Sequence, residues 1–280
     1  MNKADFIIIG AAKSGTTTLC DRLGEHPEIF VSTPKEPKFF SIDDNYKKGV
    51  TEYEKIFIGS DKEKVRGEGS VNYAIRDYHP DCAARIHAYN PDIRLIYLVR
   101  NPIERLISHW RMINMSASKG KSLEESIEDT HLNGALVQAS RYSYQMEPYL
   151  KLFSQGAVKV IFLEDLSENP QEVMKACYQH LGVETSWEST NLDKISNKTH
   201  CIGLKSELAK HLKIIGRKSR LNHLLPIRMK KFIKDDLGFW PGAPSAEISS
   251  EYLDILKDSL RGESIEFLER YGKSRGFWNM

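Results

Sequence analysis

Phe6-Ile7-Ile8-Ile9 is an unbroken apolar run that stops at Gly10, crosses small and polar residues, and resumes with helical spacing at Leu19 and Leu23. That change of period predicts strand, tight loop and helix. Ile29-Phe30-Val31 predicts a short second strand, and Ile93 to Val99, broken only by Arg94, predicts a strand buried on both faces. Val158 to Leu166 reads as another strand, with Glu164 and Asp165 near its end. Helical spacing covers Pro80–Tyr89, the stretch after Pro102, an acidic segment Ser122–Asn133, the approach to Phe153 and the apolar positions from Tyr252 to Leu268, with a weaker trace at Glu52–Phe57. Strands alternating with helices predict one α/β domain over residues 1–280, a central parallel sheet of about five strands flanked by helices.

Composition adds limits. A chain of 280 residues with 40% hydrophobic content can bury a sizeable core. Forty Lys and Arg against 38 Asp and Glu leave a formal charge of +2, so nothing global points to nucleic acid or an anionic membrane. Cys20, Cys82, Cys177 and Cys201 are scattered, unlike a zinc site or a disulfide scaffold, and suit a reducing compartment. No cationic apolar leader precedes Phe6, and no apolar run nears the ~20 residues that cross a bilayer. The expectation is a soluble cytoplasmic protein.

The loop after the first strand carries the first chemistry. Unpaired N–H groups at a helix N-terminus, reached past small side chains, cradle a phosphate. Gly10 and Gly15 have the glycine spacing of a nucleotide-phosphate loop, but Thr16 stands where that loop needs its lysine, and the lysine comes earlier, at Lys13.

Lys13-Ser14-Gly15-Thr16-Thr17 after an apolar strand resembles the 5′-phosphosulfate loop of sulfotransferases, whose donor is 3′-phosphoadenosine 5′-phosphosulfate (PAPS) and whose nucleotide product is adenosine 3′,5′-bisphosphate (PAP). The resemblance implies donor contacts from Lys13, Ser14, Gly15, Thr16, Thr17 and Thr18. Pro34-Lys35-Glu36-Pro37-Lys38-Phe39-Phe40 is similar to the segment that carries the catalytic glutamate in glycan-type members, which implies Glu36 as general base and Lys35, Lys38 and Phe40 as acceptor contacts. Arg100, at the end of the 93–99 run, and Ser108 match the family's pair for the 3′-phosphate, with Asn101 and Pro102 as helix-starting residues between them. Val65 to Tyr73 resembles a segment whose polar residues face the acceptor, implying roles for Glu68, Ser70 and Tyr73, with core packing the alternative for Tyr73. Gly69 stands there in place of a lysine found in glycan-modifying members. A basic tract over residues 205–234 contains Arg217 and Lys218, which the resemblance implies close over the 3′-phosphate. Glu164 and Asp165 are expected to orient loops beneath the cofactor.

The implied reaction moves a sulfuryl group from PAPS to a hydroxyl or amine. No metal is required, because Lys13 and loop amides face the leaving phosphate and Glu36 takes the acceptor's proton. His79 is the alternative base, since cytosolic members use a histidine that precedes the Arg-bearing strand. Absence of an anchor and the Gly69 departure favour a small-molecule acceptor, with a glycan as the alternative. A magnesium-dependent nucleotide kinase and a nucleotide-binding module without catalysis are the rival readings.

Overall fold

The computed structural model describes residues 3–114, 121–188 and 248–280. Five strands, β1 (Phe6–Gly10), β2 (Ile29–Val31), β3 (Val65–Glu68), β4 (Arg94–Val99) and β5 (Val158–Phe162), pair in parallel in the order β2-β3-β1-β4-β5. Between and after them lie α1 (Thr16–Gly24), α2 (Asp43–Tyr46), α3 (Val50–Glu54), α4 (Cys82–Tyr89), α5 (Pro102–Asn114), α6 (Leu123–Glu128), α7 (Thr130–Leu136), α8 (Tyr142–Leu152), α9 (Leu163–Glu168), α10 (Pro170–Leu181) and α11 (Ser250–Arg270).

The two-residue period of a strand divides the apolar runs between two cores. Ile7 and Ile9 of β1, with Leu95, Tyr97 and Val99 of β4, face helices α4, α8 and α11 together with Trp278. Phe6 and Ile8, with Ile96 and Leu98, face α1 and α10 through Leu19, Leu23, Cys177 and Tyr178. Both faces are covered, which is why these strands read as continuous apolar sequence rather than alternation. A third cluster joins α5, α6, α7 and α11 through Leu106, Trp110, Leu123, Leu136 and Leu260.

Strand order sets the position of the site. From β1 the chain builds β2 and β3 on one side and later β4 and β5 on the other, so the connections leaving β1 and β4 diverge. In an open parallel sheet the crevice at such a point, beyond the strands' carboxyl ends, is where ligands bind. Pairing of Phe6 with Arg94 through Gly10 with Tyr97 brings the loop after Gly10 beside Arg100.

Three expectations are adjusted. The acidic helix splits in two, because Asp129 adopts an extended ψ of 115° and its side chain caps α7 by accepting from the His131 amide. The strand at 158 ends at Phe162, and Glu164 and Asp165 fall in the first turn of α9, where the helix dipole favours carboxylates. The final helical pattern is one helix, α11. The basic tract, with Arg217, Lys218 and Cys201, lies outside the described residues. No helix among the described residues is long and apolar enough to cross a membrane.

Candidate active site

The loop between β1 and α1 is held by its own backbone. Ala11 N–H donates to Leu98 O of β4 at 2.7 Å, and Ser14 N–H donates to Ala11 O at 3.2 Å. Lys13 and Gly15 both turn through positive φ, 71° and 92°. At Gly15 a Cβ would also stand 2.8 Å from Leu163 Cδ1, so only glycine serves there. No side chain caps α1, and the amides of its first turn have no helical carbonyl behind them. The Ser14 hydroxyl is fully buried without a hydrogen-bond partner. Burial, then the charge of Arg100, pushes the Lys13 amine below its ordinary range. A buried, unpartnered hydroxyl and two crowded cations thus stand together at an uncapped helix start.

Arg100 reaches this loop from β4. Its guanidinium donates to Lys13 O at 3.4 Å and pairs with Glu104, while its Nε is buried and unpartnered. Asn101 holds the turn: its side chain accepts from the amides of Ile103 and Glu104, and its own amide donates to Glu164 Oε1 at 2.8 Å. Trp278 Nε1 donates to the same carboxylate oxygen at 3.1 Å, and Asp165 pairs with Lys273 at 2.5 Å. Both carboxylates therefore brace the turn rather than react. Ser108 lies two turns along α5, half-buried.

A third segment, residues 34–41, is pinned to the end of β3 and the turn after it. Gly69 N–H donates to Lys35 O at 3.0 Å, Lys38 N–H to Ser70 Oγ at 3.0 Å, and Phe40 N–H to Tyr73 Oη at 3.4 Å. Phe39 stacks on Tyr53 with ring centroids 4.6 Å apart, and Phe40 meets Tyr73 edge-on at 5.6 Å. Glu36, 30% exposed, is left at the surface of this anchored loop, with Lys35 Nζ at 3.3 Å and Lys38 Nζ at 4.0 Å. Lys35 extends further, donating to Thr17 Oγ1 at 3.1 Å and Thr16 Oγ1 at 3.5 Å. The segment thereby joins the first turn of α1.

A family model for the sulfotransferase domain matches residues 3–221. The chain belongs to the sulfotransferase domain family. It is 31% identical over 195 residues to human heparan sulfate glucosamine 3-O-sulfotransferase 5, covering 66% of this chain and 55% of that protein. Human carbohydrate sulfotransferase 15 is 25% identical over 268 residues, covering 72% of this chain and 46% of that protein. The chain thus spans about half the length of the curated relatives it matches. Among solved structures, a sulfotransferase from Alicyclobacillus acidocaldarius superimposes with a TM-score of 0.62 at 26% identity, over 77% of this chain and 92% of that one. Mouse SULT7A1 complexed with PAP shares the fold, with a TM-score of 0.50 at 17% identity over 93% and 84% of the two chains.

This sulfotransferase-family chain carries features that the sequence pattern did not reveal. Arg105 of α5 is fully buried and has no carboxylate partner among the described residues. It donates to Ala12 O of the phosphate loop at 3.3 Å, Ala135 O at 3.0 Å, Leu136 O and Ser140 Oγ at 2.8 Å, with His109 Nδ1 at 3.2 Å. Burial, then Arg105, depresses His109 to about 3, which keeps its imidazole neutral. Arg105 thus places a fixed positive charge beneath the anion loop and ties that loop to α7. The signal was present in α5, where Arg105 and His109 fall on the same stripe as Leu106 and Trp110.

Four residues expected as acceptor contacts are enclosed by their neighbours. Phe40, Glu68 and Ser70 are 0% exposed and Tyr73 is 1% exposed, so they form the floor under the 34–41 loop instead of its surface. Tyr53 donates to Glu68 Oε1 at 3.4 Å, and burial pushes the Glu68 carboxyl up to about 8. Lys35, also expected on the acceptor side, is directed to the start of α1, and Lys38 alone of the six remains substantially exposed, at 39%. His79 is half-buried, its Nε2 3.5 Å from Asn72 Nδ2, and burial lowers its basicity.

Proposed function

We propose that this chain transfers a sulfuryl group from PAPS to a hydroxyl or amine, with Glu36 as general base. The observation that carries the reading is the continuous link from Glu36 through Lys35 to Thr17 and Thr16, which sets a partly exposed carboxylate beside the phosphate loop. When bound, the donor supplies an activated sulfur whose leaving group is the 5′-phosphate of PAP. Lys13, the Ser14 hydroxyl and the N-terminus of α1 are suited to hold that phosphate, because the hydroxyl is buried without a partner and no side chain caps the helix. Arg100 and Ser108 are suited to the 3′-phosphate; the unpartnered Arg100 Nε belongs to a planar fork that matches phosphate geometry. Glu36 accepts the acceptor's proton as the new bond to sulfur forms. The chain's own cations carry the charge neutralisation, so turnover in a chelator is expected to match turnover without one.

For the acceptor we favour a small molecule, and the free, buried Cys20, Cys82 and Cys177 agree with a reducing, cytoplasmic setting. A glycan is the second reading, favoured by the 31% identity to a heparan sulfate glucosamine 3-O-sulfotransferase. Incubation with sulfur-labelled PAPS and a panel of small hydroxylated and amine compounds beside desulfated glycans separates them by where the label goes. Tight PAP binding with no labelled product from either class, and none from water, would sink the enzymatic reading and leave a nucleotide-binding module.

A further inference from the structure

Lys35 stands between Glu36 and the start of α1. Its ammonium lies 3.1 Å from Thr17 Oγ1, 3.5 Å from Thr16 Oγ1 and 3.3 Å from Glu36 Oε1, with the side chain 22% exposed. The backbone beneath is fixed by the Gly69 N–H bond to Lys35 O at 3.0 Å. The stem lies over Gly69, where an added Cβ would stand 3.8 Å from Lys35 Cε and 2.7 Å from Cys20 Sγ. A side chain at 69 would press on Cys20, while the lysine stem packs over the glycine at ordinary contact distance. Lys38 offers a contrast: it is more exposed, sits 4.0 Å from Glu36 and makes no bond to α1 among the described residues.

An ammonium has three donors, and here one cation spans the base and the anion-binding turn. We propose that Lys35 is a catalytic residue that holds the sulfuryl oxygens during transfer, an inference that rests on the sulfotransferase reading above. In the step it serves, a bond forms between the acceptor oxygen or nitrogen and sulfur. The bond from sulfur to the bridging phosphate oxygen breaks, and its electron pair stays on the phosphate of PAP. The acceptor's proton goes to Glu36. Lys35 neither gains nor loses a proton. It offsets charge on the group in motion, and between turnovers its bonds to Thr16 and Thr17 keep it in place.

The test compares binding with turnover in Lys35→Met and Lys35→Arg. PAP lacks the sulfuryl group and PAPS carries it, so calorimetric titration with each isolates the contact. Lys35→Met is expected to leave PAP affinity within about 3-fold and to weaken PAPS by roughly 10-fold, the scale of one hydrogen bond to a charged group. Its rate of sulfuryl release to water, an assay that needs no known acceptor, is expected to fall by about 100-fold or more. Lys35→Arg is expected to recover part of that rate. Equal losses for PAP and PAPS would overturn the proposal by showing that Lys35 only braces the loop, as would a Met variant with full turnover. Wild-type protein that binds neither nucleotide would overturn the sulfotransferase reading itself, and this inference with it.

Discussion

The loop after β1 and the loop at residues 34–41 meet at Lys35, yet they are held by different means. The first is fixed by backbone: Ala11 bonds to β4, Lys13 and Gly15 take positive φ, and Arg105 grips Ala12 O from beneath. The second hangs on side chains, with Ser70 and Tyr73 accepting its amides and Phe39 and Phe40 buried as anchors. The difference teaches where change can enter. A backbone-built anion site accepts few substitutions without loss of geometry, whereas a loop hung on side chains can be re-aimed by altering its anchors. A shared donor with varied acceptors fits that division.

The comparison can be sharpened by four substitutions of decreasing expected effect, with His79→Ala as a control for the first. Glu36→Gln should lower kcat by roughly 10²–10⁴-fold, the range for a general base, and leave PAP binding unchanged. His79→Ala should change kcat less than about 3-fold by the same assay; a collapse of kcat in His79→Ala with Glu36→Gln still active would move the base to the histidine. Arg105→Met removes the donor to Ala12 O of the loop and a share of the bonding to α7, so a loss of about 1–3 kcal/mol in denaturant unfolding is expected. Unchanged stability there would show that the loop is not held from below.

Ser70→Ala acts on the other side. The Lys38 amide loses its acceptor, and kcat should fall about 10-fold, equivalent to ~1.4 kcal/mol, with PAP affinity retained. Equal losses in both would mean the two loops are not separable. Glu68→Gln has the smallest effect on catalysis and acts through pH. The buried carboxyl is raised to about 8 from an ordinary 4.5, so the folded state keeps a proton that the unfolded chain releases. Stability from this group is fully present below pH 4.5, declines as pH rises, and is lost through about pH 8. Glu68→Gln should flatten that decline in melting curves taken from pH 5 to 9.

The strand, loop and helix around β1 and the end of β4 were legible in sequence because each feature is local. The run Phe6–Ile9 is buried on both faces, the loop glycine is required by φ, and Arg100 ends a strand whose apolar run names it. The 34–41 segment was legible as an irregular loop and not in the exposure of its residues. Glu36 and Phe40 are four residues apart in one loop, yet one is 30% exposed and the other 0%, a difference decided by Tyr53, Tyr73 and Tyr89 arriving from elsewhere in the chain. Lys35 was read with the acceptor for the same reason: nothing adjacent to it in sequence says that Thr17, eighteen residues earlier, is its partner. The split of the acidic helix at Asp129 was signalled by a capping residue type, but its extended backbone follows from how α6 and α7 pack on α5.

The central claim is that the crevice between β1 and β4 holds the donor nucleotide through Lys13 and Arg100. Calorimetric titration of the protein with PAP, and separately with ATP, in the presence of a chelator tests it directly. The account predicts micromolar PAP binding, weakened by about 10-fold or more in Lys13→Ala and in Arg100→Ala, each of which removes a charged hydrogen-bond donor. No PAP binding, with magnesium-dependent ATP binding in its place, would contradict the account and make the loop that of a kinase.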